Sequence, residues 1–151
     1  MNTRELKLVY TIPHSIDRVW NAVTVNEVLT QWMADKVTGR PILGEKFSWS
    51  WNFGDEGVFT TNGIYKSIVP GKSIELKWTD HPLGEIELRL NFSENGHATK
   101  FEILNSGFPI SEKYDSWIDG AKAGWNHQVE KLTEFLGKWN GVVPPKKKLN
   151  A

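Results

Sequence analysis

The sequence predicts an α+β fold: about six strands in an antiparallel sheet, two short helices after the first strand, and one long C-terminal helix that covers the sheet. Three observations predict it. From Tyr114 onward, Trp117, Ile118, Ala121, Trp125, Val129, Leu132, Leu136 and Trp139 recur at spacings of three and four, the period of one helix face. Upstream, runs of alternating apolar and polar residues recur between turn signals, the period of half-buried strands. Each such strand is polar on one side, so the apolar side of the sheet needs a cover, which the long helix supplies. A sheet and a helix closed in this way can enclose a cavity.

Glu5 to Ile12 is the first strand, with Leu6, Leu8, Tyr10 and Ile12 on one side, and Pro13 ends it. Ser15 caps a short helix that turns Ile16, Val19, Trp20 and Val23 to one face, and Asn26 starts a second that turns Leu29, Trp32 and Met33 inward. Gly39, Pro41 and Gly44 mark the loop back to the sheet. Phe47, Trp49, Trp51 and Phe53 alternate with Ser48, Ser50 and Asn52, the sharpest strand signal in the chain, with one wholly aromatic face. After the turn Gly54-Asp55-Glu56-Gly57, Val58 to Val69 is a strand of poor alternation, with Thr60, Asn62 and Ile64 on one side and Thr61, Gly63 and Tyr65 on the other. Pro70-Gly71 turns the chain into Ile74, Leu76 and Trp78, and Asp80 to Gly84 turns it into Ile86, Leu88, Leu90 and Phe92. A last strand after Asn95-Gly96 points Thr99, Phe101 and Ile103 inward. Ser111 with Glu112 starts the long helix, and Asn140-Gly141 stops it.

A length of 151 residues suits one domain, expected over 1–141 with a flexible tail over 142–151. Lys plus Arg and Asp plus Glu number 18 each, so the formal charge is zero. A nucleic-acid partner needs a basic patch; the one basic run, Lys146 to Lys148, follows Val142-Val143-Pro144-Pro145 and has the character of a solvated end. Without cysteine there is no disulfide, thiol nucleophile or cysteine metal site. No segment approaches a membrane span and the N-terminus lacks the apolar core of a signal peptide, so the expectation is a cytoplasmic protein without membrane insertion. His14, His81, His97 and His127 have no ligand spacing, and no glycine run matches a phosphate motif, so neither metal nor cofactor is expected. Eight Trp residues are many for this length and fit either a thick core or a ligand pocket.

Pro13 with Arg18-Val19-Trp20, then Trp32, Gly63-Ile64-Tyr65, Ile68-Val69-Pro70, Leu76-Lys77-Trp78 and Gly124-Trp125 form an ordered set of landmarks along nearly the whole chain. In that order they resemble the helix-grip (SRPBCC) superfamily of START lipid-transfer domains, birch-pollen allergens and polyketide cyclases. Within it they look most like the subfamily named for the C-terminal domain of the heat-shock-protein-90 ATPase activator. The resemblance implies a curved antiparallel sheet wrapped around the long helix, with an apolar cavity between. It implies no reaction, because members include carriers, sensors, cyclases and co-chaperone modules. The ATPase activator has a further N-terminal domain that helps engage the chaperone; this sequence opens almost directly on its first strand, and the expectation is that it lacks that domain.

Trp49, Trp51 and Phe53, with Trp78, Trp117 and Trp125, are the expected pocket lining, part of which is solid core. Trp20 and Trp32 are expected to anchor the short helices. Gln128 falls on the inward side of the long helix, the only amide there, and a buried amide left unpaired costs about 1–3 kcal/mol, so it must meet a backbone group, water or a ligand. Asn62 and Tyr65 are the other polar candidates; a few polar groups among aromatic walls is the usual make-up of a small-molecule pocket. Gly120 and Gly124 each cost the long helix about 1 kcal/mol, and close packing against the sheet or another subunit is favoured over room for a ligand. Asp80-His81 is the nearest thing to an acid/base pair and is read as turn chemistry.

The leading expectation is non-enzymatic binding of a small apolar or aromatic molecule between sheet and helix, oriented by Gln128, Asn62 or Tyr65. The short helices around Trp32 and the Gly54–Gly57 turn would form the mouth, and no catalytic residue is assigned. Two alternatives stand beside it. One is a cyclase or aromatase type of enzyme using Asp80, His81 or Tyr65. The other is a co-chaperone-like interaction module that stimulates a chaperone ATPase, with that chaperone as partner. Val142, Val143 and the glycine flank leave both a monomer and a homodimer open.

Overall fold

The computed structural model describes residues 3–143. Strict alternation makes β1 (Thr3–Ile12), whose even-numbered side chains turn inward. Pro13 ends it, and α1 (Ile16–Thr24) and α2 (Asn26–Trp32) follow, as their spacing predicts. The remaining strands are β2 (Lys36–Thr38), β3 (Lys46–Asn52), β4 (Val58–Val69), β5 (Ser73–Trp78), β6 (Glu87–Asn95) and β7 (Ala98–Pro109), and α3 (Asp115–Lys138) closes the chain. They make one antiparallel sheet in the order β1-β7-β6-β5-β4-β3-β2, so α1 and α2 carry the chain from one sheet edge to the other. The sheet has seven strands, against the six expected. The addition is β2, which pairs Lys36–Thr38 with Ser48–Ser50 and is too short to show a period.

Two bulges set which side chains reach the concave side. In β4 the pairing passes from Tyr65 opposite Leu76 to Ser67 opposite Glu75, leaving Lys66 extra. Gly63 and Tyr65 are therefore buried before the bulge and Ile68 packs on the core after it, which explains the poor alternation of this segment. In β7, Arg4 faces Phe108 and Glu5 faces Ser106, so Gly107 is extra. Asn105 and Phe108 are thereby both buried, three positions apart. Gly63 permits one further close approach: a Cβ there would lie 2.4 Å from the Phe47 ring and 2.5 Å from the Lys77 carbonyl.

The core fills the space between the sheet, α1, α2 and the C-terminal half of α3. Ile12, Val19, Val28, Leu76, Leu88, Ile103, Leu132 and Leu136 are almost wholly buried. Trp32 anchors α2 by donating from Nε1 to the Ala22 carbonyl at 2.8 Å. Arg18 of α1 donates to the carbonyls of Leu136 and Trp139 at 2.7 and 2.8 Å, satisfying the open end of α3, and lies over the Trp139 ring. The opposite end begins at Ser111, whose hydroxyl accepts from the Lys113 N–H in the turn that leads into α3.

The apolar stripe of α3 divides in two. Val129, Leu132 and Leu136 are buried, but Trp117 is 40% exposed and Gly120 and Gly124 are exposed. Only the second half of the stripe packs into the core; the first half, with the expected lining residue Trp117, stands away from the sheet. Of the expected tail, Val142 and Val143 are described, and the rest, with Lys146 to Lys148, lies outside the described residues. Among the described residues no helix is long and apolar enough to cross a membrane.

Candidate functional site

The separation of α3 from the sheet leaves a cavity of about 560 Å³. Its sheet side is made by Trp49 and Trp51 of β3, Phe59 and Thr61 of β4, Trp78 of β5, and Asn105 and Phe108 of β7, with Ile86 just before β6 and Met33 after α2. Its helix side is made by Ser116, Trp117, Gly120, Ala121, Gly124, Trp125 and Gln128, and His81 joins from the turn after β5. Phe59, Ser116, Trp117, Gly120 and Gly124 are exposed and mark the open side. A smaller void of about 30 Å³ lies deeper, and Met33, Trp49, Trp125 and Gln128 line both spaces.

The structure therefore gathers Trp49, Trp51, Trp78, Trp117, Trp125 and Gln128 of the expected lining around one cavity. Three expected residues sit elsewhere. Phe53 lies past the end of β3, is 57% exposed and does not line the cavity, because the strand stops at Asn52 and the chain curls into the turn at Gly54. Asn62 has the outward parity of β4, and its backbone N–H and Nδ2 donate to the Asp80 carboxylate at 3.1 and 2.9 Å. Tyr65 is buried on the inner face but lines the deeper void, where burial first and the Glu45 charge second push its hydroxyl pKa well up, so it stays protonated. Trp32 likewise borders the deeper void. The open side lies between Phe59 of β4 and the first turns of α3, and neither the short helices nor the Gly54–Gly57 turn, the expected mouth, supplies a lining residue.

Close packing against the sheet does not account for Gly120 and Gly124: a Cβ at either position would meet nothing of the described chain within 4 Å. What they leave is space in the cavity. Asn105 and Phe108 escaped the sequence reading for different reasons. Asn105 continues the inward parity of Thr99, Phe101 and Ile103, so extending that period by one step finds it. Phe108 breaks parity, and only the glycine before it hints at a bulge. Asn105 is 4% exposed: Nδ2 donates to the Glu87 carbonyl at 3.1 Å, and Oδ1 accepts a long hydrogen bond, 3.5 Å, from Trp125 Nε1.

Asp80 and His81 do not work as a pair. Burial would raise the Asp80 pKa, but hydrogen bonds from Asn62 and Thr61 outweigh it and hold the carboxyl below its usual range, aimed at β4. His81 Nδ1 accepts from the Leu83 N–H at 3.1 Å, so the neutral ring carries its proton on Nε2. Its ring lies 6.4 Å from that of Trp78 and 5.7 Å from that of Trp117. Burial lowers the His81 pKa, and the Asp80 charge opposes this only in part. Among the described residues no group of His, Cys, Asp and Glu side chains is placed to hold a metal ion.

The family model described as Activator of Hsp90 ATPase homolog 1-like protein matches residues 13–137. Among solved structures, a protein from Mesorhizobium loti superposes with a TM-score of 0.76 at 22% identity, covering 91% of this chain and 99% of that one. The Aha1 dimer from Colwellia psychrerythraea superposes with a TM-score of 0.74 at 14% identity, covering 90% of this chain and 99% of that one. DynU16, a protein in the dynemicin biosynthetic locus, gives a TM-score of 0.75 at 19% identity over 89% of this chain, which spans 47% of it. At these identities the likeness shows the fold. No curated protein matches the sequence.

Proposed function

Because the chain belongs to the family of Activator of Hsp90 ATPase homolog 1-like proteins, within the helix-grip superfamily, we propose that it uses that fold to bind a small, largely apolar or aromatic molecule between sheet and α3. One observation carries this reading: an aromatic-walled cavity of about 560 Å³, within the range of small-molecule sites, is bordered by two glycines that packing within the described chain does not require. Covering the apolar wall would contribute roughly 25 cal/mol per Å² buried, before the cost of ordering the ligand. Binding is favoured over turnover because the Asp80 carboxylate is spent on β4, leaving His81 without an orienting acid.

The test is a titration with N-phenyl-1-naphthylamine, an uncharged dye that brightens in apolar sites, while tryptophan emission is followed. Saturable binding is expected, weakened about tenfold in Trp125→Ala. Circular dichroism checks that the variant is folded. Saturable binding untouched by Trp125→Ala, or none at all, would remove the site.

Affinity for the same dye is expected to fall as the pH drops from about 7 to about 5. The His81 pKa already lies below its ordinary value of 6.5 in the folded chain because burial disfavours the charged ring. A folded-state pKa lowered in this way means that the unfolded chain takes the proton first, so folding stability declines as pH falls below that ordinary value. An apolar ligand over the ring buries it further and disfavours the imidazolium again. His81→Gln should flatten the profile; a flat profile in the unmodified protein would place His81 away from the ligand.

A further inference from the structure

Building on that cavity reading, we infer that the ligand is an uncharged, flat ring system carrying one group that both donates and accepts a hydrogen bond, a hydroxyl being the simplest, and that this head seats against Gln128 and Trp49 at the inner end of the cavity. Four residues, Met33, Trp49, Trp125 and Gln128, line both the 560 Å³ cavity and the 30 Å³ void, so they form the partition between the two. Two of them carry polar atoms that are shut from solvent and have no partner among the described residues: Trp49 Nε1, a donor, and Gln128 Oε1, an acceptor.

Among the described residues four of the eight indoles are paired, and of the other four only Trp49 has its N–H shut from solvent. Trp32, Trp51, Trp125 and Trp139 donate to the Ala22 carbonyl, the Met33 carbonyl, Asn105 Oδ1 and the Val142 carbonyl respectively. Trp49 departs from this while being only 7% exposed. Each atom has less than 1 Å² of accessible surface, so a ligand group reaches them only by parting the partition, and a donor and an acceptor both unpartnered there call for a group with both capacities. The void behind the partition, about 30 Å³, has room for one small group of that kind.

Charge is excluded by the same walls. Among the described residues no Lys, Arg, Asp or Glu lines either space. A carboxylate or ammonium head would be desolvated without a counter-charge, which a site built from indole, phenyl and amide groups does not compensate. Trp51, Trp78 and Trp117 around the outer part fit a flat ring.

The experiment is displacement of N-phenyl-1-naphthylamine by naphthalene, 2-naphthol, 2-methoxynaphthalene and 2-naphthoate. 2-Naphthol is expected to bind about tenfold more tightly than naphthalene, the worth of one net hydrogen bond. 2-Methoxynaphthalene, which accepts but does not donate, should lose most of that advantage, and 2-naphthoate should be weakest. Gln128→Leu and, separately, Trp49→Phe should each shrink the ratio of naphthol to naphthalene affinity towards one, a readout that general loosening of the fold does not mimic. Equal binding of naphthol and naphthalene, tightest binding of naphthoate, or a ratio that survives both substitutions overturns the inference and leaves the cavity reading standing. Displacement by none of the four overturns the inference, and failure of the dye itself to bind overturns both.

Discussion

Placing leucine at both Gly120 and Gly124 is expected to raise the melting temperature and to abolish dye binding together. Each glycine costs the interior of α3 about 0.8–1.0 kcal/mol relative to a good helix former. Because a Cβ at either site meets nothing within 4 Å, the first carbon of the new side chain adds no clash, and the rest extends into the cavity's open side. Two substitutions should return about 1.5 kcal/mol, or about 3–6 °C in a domain of this size. The new side chains would occupy the helix side of the 560 Å³ cavity, so affinity should fall at least about thirtyfold. Alanine at the same positions should give the stability gain with a smaller loss of binding. Thermal melts and dye titrations on the same samples decide it. A lower melting temperature would mean that the glycines serve packing; undiminished binding with leucine would take the ligand off this face.

Gly107→Ala is expected to be the most damaging single methyl addition at the site, costing about 3 kcal/mol or more. Gly107 has φ +98°, which residues with a side chain rarely adopt, and its Cβ would lie 2.1 Å from the Glu85 carbonyl oxygen. That oxygen belongs to backbone, so no rotamer change relieves the overlap. Loss of the bulge would also break the arrangement that turns both Asn105 and Phe108 inward, and with it the long hydrogen bond from Trp125 to Asn105. Denaturant unfolding of the variant measures the first effect, and the dye titration the second. A stability within about 0.5 kcal/mol of the parent would show that the strand re-forms around a different bulge.

The legible part of the site follows from period. Trp49 and Trp51 share the inner parity of β3, Trp78 that of β5, and Trp117, Trp125 and Gln128 fall on one flank of α3, so each was nameable before the structure. Phe53 shows the limit of that reasoning. It continues the parity of β3 by one step, but the strand ends at Asn52, and past a strand end the alternation no longer fixes a face. Asn62 fails differently: its neighbour across the sheet offers a carboxylate, and a short amide with such a partner has no reason to turn inward.

Local pattern thus determined what repeats locally: the order of strands and helices, the apolar side of each, the long C-terminal helix and the polar outer face. These follow from side-chain direction every two or every 3.6 residues, which the backbone sets by itself. Only the tertiary structure decided that half of α3 stands off the sheet and that Gly120 and Gly124 face space. It also decided that the bulges at Lys66 and Gly107 switch parity, and that Trp49 Nε1 and Gln128 Oε1 end without partners. Those facts depend on distances between segments far apart in the chain, and a periodic pattern carries direction but not distance.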